Sequence, residues 1–246
     1  MADAGSGRLP VEAVRAFVDL HCHTSASFDS LASPRSVVAA AARHGLTHLA
    51  ITDHDTIDGA LRARDAAPAG LTVIVGQEIR TADGDLIGAF LTWAVRPGMP
   101  AREAIAAVRE QGGLVGLPHP YDRFRGSLSR SAAPGGMPGL ASEADWIEAW
   151  NARLVLGDGN ARAAELALAA GVPGVAVSDA HTTTEIGVAC TLLEAAAGDP
   201  ATPAGLLAAL AAGPELRTGR ASHFVRLVTP LAKLVQRGRG RGRRRS

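Results

Sequence analysis

The sequence predicts an α/β fold, a closed or nearly closed barrel of strands wrapped in helices. Short apolar runs alternate with helical stretches along most of the chain, which implies parallel strands joined by helical crossovers. The runs are continuously apolar, as expected for strands covered on the outside by helices. Asp, Glu and His residues collect where these runs end, and in such barrels the chemistry gathers at the C-terminal ends of the strands. With 246 residues, 47% of them apolar, the chain is long enough for one well-buried core.

The first strand is Val18-Asp19-Leu20-His21-Cys22-His23. Residues i and i+2 of a strand share a face, so it would present the imidazoles of His21 and His23 side by side. A helix follows, with Ser33 as N-cap, Pro34 at its first position and Gly45 as terminator. Leu49 to Thr52 is a buried strand feeding Asp53-His54-Asp55. The alternation continues with strand Leu71 to Val75 ahead of Gly76-Gln77-Glu78, strand Leu86 to Leu91, and helix Ala101 to Gln111 stopped by Gly112-Gly113. Strand Leu114 to Leu117 leads into Pro118-His119-Pro120, and strand Trp146 to Trp150 leads into Asn151. Helix Asn160 to Ala170, ended by Gly171, precedes strand Val175 to Val177 and Ser178-Asp179-Ala180-His181. About seven such units result. Phe124 to Ser142, rich in Gly, Ser and Pro, is expected to be a long loop over the site. Pro203 to Ala212 reads as an amphipathic helix, and His223 to Leu234 as a last strand and helix packed on the barrel. The domain reading is an N-terminal segment 1–17, a barrel 18–221, a packing segment 222–236 and a basic tail 237–246.

Two cysteines, Cys22 and Cys190, make no disulfide framework, and no apolar run reaches the roughly 18 residues that span a bilayer. The first residues lack the apolar core of a signal peptide, so a cytoplasmic location without membrane partners is expected. The formal charge is +1, yet residues 237–246 carry six arginines and no acid, leaving −5 for the rest. The tail reads either as a disordered, solubilising end or as an arm for RNA or another polyanion. Without aromatic residues it would bind phosphates and not choose sequence.

Five of the eight histidines, His21, His23, His54, His119 and His181, occupy strand ends or the turn just after. With Asp29, Glu78 and Asp179 they offer a mixed nitrogen and oxygen environment suited to Zn²⁺, Mn²⁺ or Fe²⁺. His44, His48 and His223 lie within or beside helix and strand bodies, where packing or surface roles are expected. Taken singly, Glu78 reads equally as a solvated acid, Asp179 as a helix N-cap and His119 as a turn residue between prolines. The Asp179-x-His181 pair repeats the spacing of His21-x-His23, and jointly the set favours a metal cluster. No P-loop or dinucleotide fingerprint is present.

Asp19-Leu20-His21-Cys22-His23-Thr24, Ile51 to Thr56, Gly76-Gln77-Glu78, Pro118-His119-Pro120 and Ser178-Asp179-Ala180-His181 resemble, in order and spacing, the motifs of the PHP (polymerase and histidinol phosphatase) domain. The resemblance covers about Val18 to Ala221. It implies a distorted (β/α)7 barrel that holds two or three divalent metal ions and hydrolyses phosphoesters. It further implies that His21, His23, Glu78 and Asp179 hold one metal, that Glu78 bridges to a second with His119, and that Asp29, His54 and His181 hold a third. Where some members place another histidine this chain has Asn151, a poor ligand for zinc-like ions, which would instead hydrogen-bond a metal-bound water or a phosphate oxygen.

Clustered cations lower the pKa of bound water and neutralise the attacked phosphoryl group, so a metal-bound hydroxide is the expected nucleophile. Asp53 and Asp55 would either orient ligands beside His54 or serve simply as turn residues. Arg123 and Arg125 would bind substrate phosphate through paired hydrogen bonds, or else belong to a solvated loop. The expected function is a phosphoesterase acting on a phosphorylated small molecule, a nucleotide or an oligonucleotide end. The competing expectation is a non-catalytic binding module in which metals only stiffen the barrel.

Overall fold

A computed structural model describes residues 15–122, 126–128, 131, 133–154, 156–222 and 225–240, with backbone alone for 225–227. Among the described residues nine strands form one sheet in the order β7-β6-β5-β4-β3-β2-β1-β8-β9. They are β1 (Arg15–Asp19), β2 (His48–Ile51), β3 (Thr72–Arg80), β4 (Asp85–Ala89), β5 (Leu114–Leu117), β6 (Trp146–Asn151), β7 (Gly174–Val177), β8 (Cys190–Glu194) and β9 (Glu215–Arg217). The helices are α1 (Pro34–Arg43), α2 (Asp58–Asp65), α3 (Ala101–Glu110), α4 (Gly136–Ala141), α5 (Gly159–Ala170), α6 (Pro203–Ala211) and α7 (Val225–Gly238).

The sheet curls until its two ends meet. Past the end of β1, Cys22 bridges in parallel to Ala180 past the end of β7, and the His23 amide donates to the Ala180 carbonyl at 2.8 Å. Below that point the Thr191 hydroxyl of β8 contacts both the amide and the carbonyl of Ala176 in β7, each at 3.0 Å. The barrel is thus nearly closed, as expected. One face of the sheet forms an inner core of Val18, Leu20, Ala50, Ile74, Ile87, Leu114, Trp146 and Val175, to which α6 adds Leu206 and Leu210. The other face carries Leu49, Ile51, Val75, Leu117 and Ile147 against the buried stripes of α1 and α3. In α3 the buried residues Ala101, Ala104, Ile105 and Val108 follow the 3.6-residue period, and each large aliphatic side chain so buried contributes roughly 1.5–3 kcal/mol.

The helix ends follow their sequence signals. The Ser33 side chain accepts from the Ser36 amide, and Gly45, Gly112 and Gly171 take the left-handed conformation just beyond α1, α3 and α5. The expected all-parallel sheet is corrected. β4 runs antiparallel to both β3 and β5, and β8 runs antiparallel to both β1 and β9. Only residues 81–84 connect β3 to β4, too few for the crossover a parallel pair requires. β3 also runs further than expected, so Glu78 lies within it and not beyond its end. At Gly76 the strand passes from parallel pairing with β2 to antiparallel pairing with β4, and a Cβ there would collide with the Gly88 carbonyl. Within the expected 124–142 loop, residues 136–141 form α4. His223 lies outside the described residues, and α7 begins at Val225.

Candidate metal centre

The cluster is assembled from strand ends. His21 and His23 leave β1, His54 follows β2, His119 follows β5, and Asp179 and His181 follow β7. Asp29 comes from the 24–33 segment before α1, and Glu78 from within β3. Two of these residues hold strained backbone, His119 at φ 25° and Asp179 at φ 51°, in the left-handed region that L side chains rarely adopt. Both side chains reach the cluster.

Glu78 is the hub. Its Oε2 lies 3.4 Å from His21 Nε2, 3.4 Å from His23 Nε2 and 3.2 Å from His54 Nδ1, while its Oε1 lies 3.0 Å from His119 Nε2. Asp179 Oδ1 is 3.7 Å from His21 Nε2 and 3.6 Å from both His23 Nε2 and His181 Nδ1. Asp29 Oδ2 lies 3.3 Å from His54 Nε2 and 3.3 Å from His181 Nε2. All eight expected ligands are therefore brought together. Two ligand sets have their donor atoms within 4.8 Å of one another, His21–His23–Glu78 and His23–Asp29–His54–His181, with His23 common to both.

The electrostatics of the cluster are strongly coupled. Burial would raise the Glu78 pKa, yet His54, His21 and His119 hold it well below the usual carboxylate range, and Asp29 is held down by His181 and His54 in the same way. Burial would lower the His54 pKa, but Glu78 and Asp29 outweigh it and raise it to about 10. His23 is driven down to about 3 by burial and by its neighbours His181, His54 and His21. The buried acids and imidazoles thus favour one another's charged forms, while the charged form of His23 is disfavoured. His21 Nε2 and His23 Nε2 face each other at 2.9 Å. Asp29 Oδ1 and His119 Nδ1 are buried with no hydrogen-bond partner among the described residues. Buried imidazole and carboxylate donors aimed at common points suit divalent ions of the zinc, manganese or iron type.

A second layer holds these ligands. Glu148, fully buried in β6, accepts from His21 Nδ1 at 2.6 Å, from the His119 amide at 2.9 Å and from Asn151 Nδ2 at 2.9 Å. Asn151 Nδ2 also donates to Asp179 Oδ2 at 3.0 Å, and its Oδ1 accepts from the Arg153 amide at 3.0 Å. Asp53 faces away from the cluster, accepting from the Thr24 amide at 2.6 Å and the Thr24 hydroxyl at 2.7 Å. Asp55 Oδ1 accepts from the Arg80 amide at 3.0 Å. Ser27 Oγ meets His23 Nδ1 at 3.2 Å and accepts from the His54 amide at 3.0 Å. Glu185 accepts from the His181 amide at 3.0 Å, and its other oxygen lies 3.6 Å from Arg153 Nε.

Glu148, Ser27, Arg153 and Glu185 escaped the sequence reading. Only Glu148 left a signal there, as the one charged residue in the apolar run Trp146 to Trp150. Arg123 and Arg125 lie outside the described residues. His44 Nδ1 donates to the Ile186 carbonyl at 2.6 Å and His48 Nδ1 meets Thr47 Oγ1 at 2.9 Å, both away from the cluster.

A sequence profile of the PHP domain matches residues 19–170, and one described as PHP-associated matches residues 157–214. The chain belongs to the PHP domain family. An uncharacterized protein of Methanocaldococcus jannaschii is 38% identical to this PHP chain over 114 residues, which cover 42% of this chain and 67% of that one. A 5'-3' exoribonuclease of Haemophilus influenzae is 47% identical over 64 residues, and an error-prone DNA polymerase of Cutibacterium acnes 45% identical over 65. Each of these matches covers 26% of this chain, but only 23% of the exoribonuclease and 6% of the polymerase. Among solved structures, a two-domain protein from Bacteroides vulgatus containing a predicted PHP-like metal-dependent phosphoesterase superposes with a TM-score of 0.69 at 19% identity, covering 84% of this chain and 65% of that one. PsfC from Pseudomonas syringae gives 0.62 at 17% identity, covering 91% and 98%. At these identities the structural likeness is one of fold. No helix among the described residues is long and apolar enough to cross a membrane.

Proposed function

We propose that this PHP domain is a metal-dependent phosphoesterase, acting on the phosphate ester of a small metabolite, a nucleotide or an oligonucleotide end. The observation that carries the reading is Glu78, one buried carboxylate within 3.0–3.4 Å of four imidazoles from three different strand ends. His21, His23, Glu78 and Asp179 would hold one divalent ion, Glu78 and His119 would reach a second, and Asp29, His54 and His181 a third. When bound, such ions supply an activated water and neutralise charge on the phosphoryl group.

The protein's own part is to orient and to bind. Glu148 accepts a hydrogen bond from His21 Nδ1 and leaves Nε2 directed at the cluster. Asn151 ties Glu148 to Asp179, so it positions ligands from two strands together, and Asp53 does the same for the turn after His23 through Thr24. Arg153 would be a cation available to a substrate phosphate. Its Nη1 is buried with no hydrogen-bond partner among the described residues, while Glu185 and Thr229 fix the rest of the guanidinium. Arg123 and Arg125 remain proposed as further phosphate contacts. The arginines of 237–246 would add affinity for an RNA or DNA strand by phosphate neutralisation. The barrel at 18–221 would carry the chemistry in this reading, with α7 joined to it through Gln236.

The test is hydrolysis of p-nitrophenyl phosphate, its bis-ester, nucleoside monophosphates and a short RNA, with and without chelator. Turnover of at least one ester that chelator abolishes and Mn²⁺ or Zn²⁺ restores is expected. Absence of turnover on all of them in metal-loaded protein would favour a binding module. Removing residues 239–246 is expected to slow cleavage of the RNA, most at low salt, and to leave p-nitrophenyl phosphate unaffected. Equal loss on both would count against a strand-binding tail.

A further inference from the structure

Gln236 stands in the last turn of α7, beyond both matched stretches of the chain, and is fully buried. Its Nε2 lies 2.9 Å from the Ser25 carbonyl oxygen, 3.0 Å from that of Ser27 and 2.8 Å from that of Ser30. Two amide hydrogens are shared among three converging acceptors. Its own Oε1 is buried with no hydrogen-bond partner among the described residues. Turning the amide over would set that oxygen against three carbonyls, so the side chain is held for its donor end even though its acceptor end goes unmet.

The loop it grips serves one part of the metal centre. Ser27 contacts His23 and the His54 amide, Asp29 reaches His54 and His181, and the Ser30 hydroxyl donates to the His181 carbonyl at 2.8 Å. Between them the Phe28 ring lies 4.8 Å from that of His54, with Lys233 of α7 placed 5.5 Å from the Phe28 ring. Loops of this kind bend readily, because little regular hydrogen bonding fixes them. Three carbonyls drawn to one donor fix this one.

We propose that Gln236 is a positioning residue for the Asp29–His54–His181 ligand set, so that a helix outside the barrel completes one metal site by pinning the loop that supplies Asp29. The inference rests on the metal-site reading above. It bears chiefly on one of the two ligand sets, because His21, Glu78 and His119 are held by Glu148 and the strands, while His23, common to both sets, meets Ser27 of the gripped loop.

The experiment measures metal stoichiometry and affinity in the full chain by elemental analysis, after equilibration with buffered Zn²⁺ or Mn²⁺. Gln236→Met keeps the volume and removes the donor, Gln236→Glu keeps the shape and sets an acceptor against the three carbonyls, and His54→Ala serves as reference for loss of this set. Gln236→Met is expected to weaken one metal equivalent by roughly tenfold or more, the one that His54→Ala removes, with the remaining metal bound as in wild type. Gln236→Glu is expected to weaken that equivalent further. Thermal unfolding of the metal-free variants is followed alongside. A Gln236→Met chain that binds every equivalent as wild type does, or that loses all of them in proportion to its unfolded fraction, would overturn the proposal. Wild-type protein that takes up no metal would overturn the underlying reading and this inference with it, and is recognised without any variant.

Discussion

His21 Nδ1 lies 2.6 Å from Glu148 Oε1, with both side chains sealed from solvent. Burial would strip the proton from this imidazole, but Glu148, Asp179 and Glu78 hold its pKa well above the ordinary value. The contact fixes the tautomer. In the neutral ring that a metal would need, it keeps the hydrogen on Nδ1 and leaves the lone pair on Nε2, toward His23, Glu78 and Asp179. Glu148→Gln is therefore expected to weaken metal binding by about 10- to 100-fold, because the amide must present a hydrogen where His119 and Asn151 already donate. Chelator competition on folded protein measures this, and unchanged affinity would contradict the tautomer argument.

Proton release should accompany metal uptake. His54, with a pKa raised to about 10 in the metal-free cluster, carries a proton at neutral pH that it must lose to act as a ligand. Calorimetry in buffers of differing ionisation enthalpy is expected to show at least one proton released per chain at pH 7.5, with apparent affinity rising as pH rises toward 10. The sign for metal-free stability is opposite. A histidine whose folded pKa is raised stabilises fully below its ordinary value of 6.5, and that contribution fades as pH climbs through about 10.

Arg153→Ala is expected to raise KM for a phosphomonoester by roughly tenfold or more, since a charge-assisted contact to phosphate is lost. Metal content should stay at the wild-type level. Arg153→Lys should recover only part, because a point charge cannot keep Glu185, Thr229 and phosphate together. A change in kcat alone would move Arg153 away from substrate binding.

Gly116 of β5 faces the indole of Trp146 across the strand pair, and a Cβ there would overlap the ring. Gly116→Ala is expected to cost about 1–3 kcal/mol by overpacking, read from denaturant unfolding. Gly45→Ala, where nothing obstructs a Cβ, is expected to cost less, from the left-handed backbone alone.

The candidate ligands were legible because barrel chemistry sits at strand ends and those ends are marked by abrupt polarity. His21, His54, His119 and His181 each follow an apolar run that sequence alone delimits. The direction of β4 was less legible. The short link between Glu78 and Leu86 held the information, since no crossover fits there, but alternation elsewhere suggested a parallel sheet. Helix α2 escaped because it is strongly polar and buries only small residues, Gly59, Ala60 and Ala63. Gln236 could not be read at all, because its partners are backbone carbonyls more than 200 residues away.

The most direct measurement is the metal content of the purified full chain by elemental analysis, with turnover of the best ester followed in wild type and in His21→Ala. Two or more equivalents per chain are expected, with His21→Ala folded, depleted in metal and slower by orders of magnitude. Less than one equivalent after loading with Zn²⁺ or Mn²⁺, or a metal-depleted His21→Ala chain that turns over as wild type does, would contradict the account.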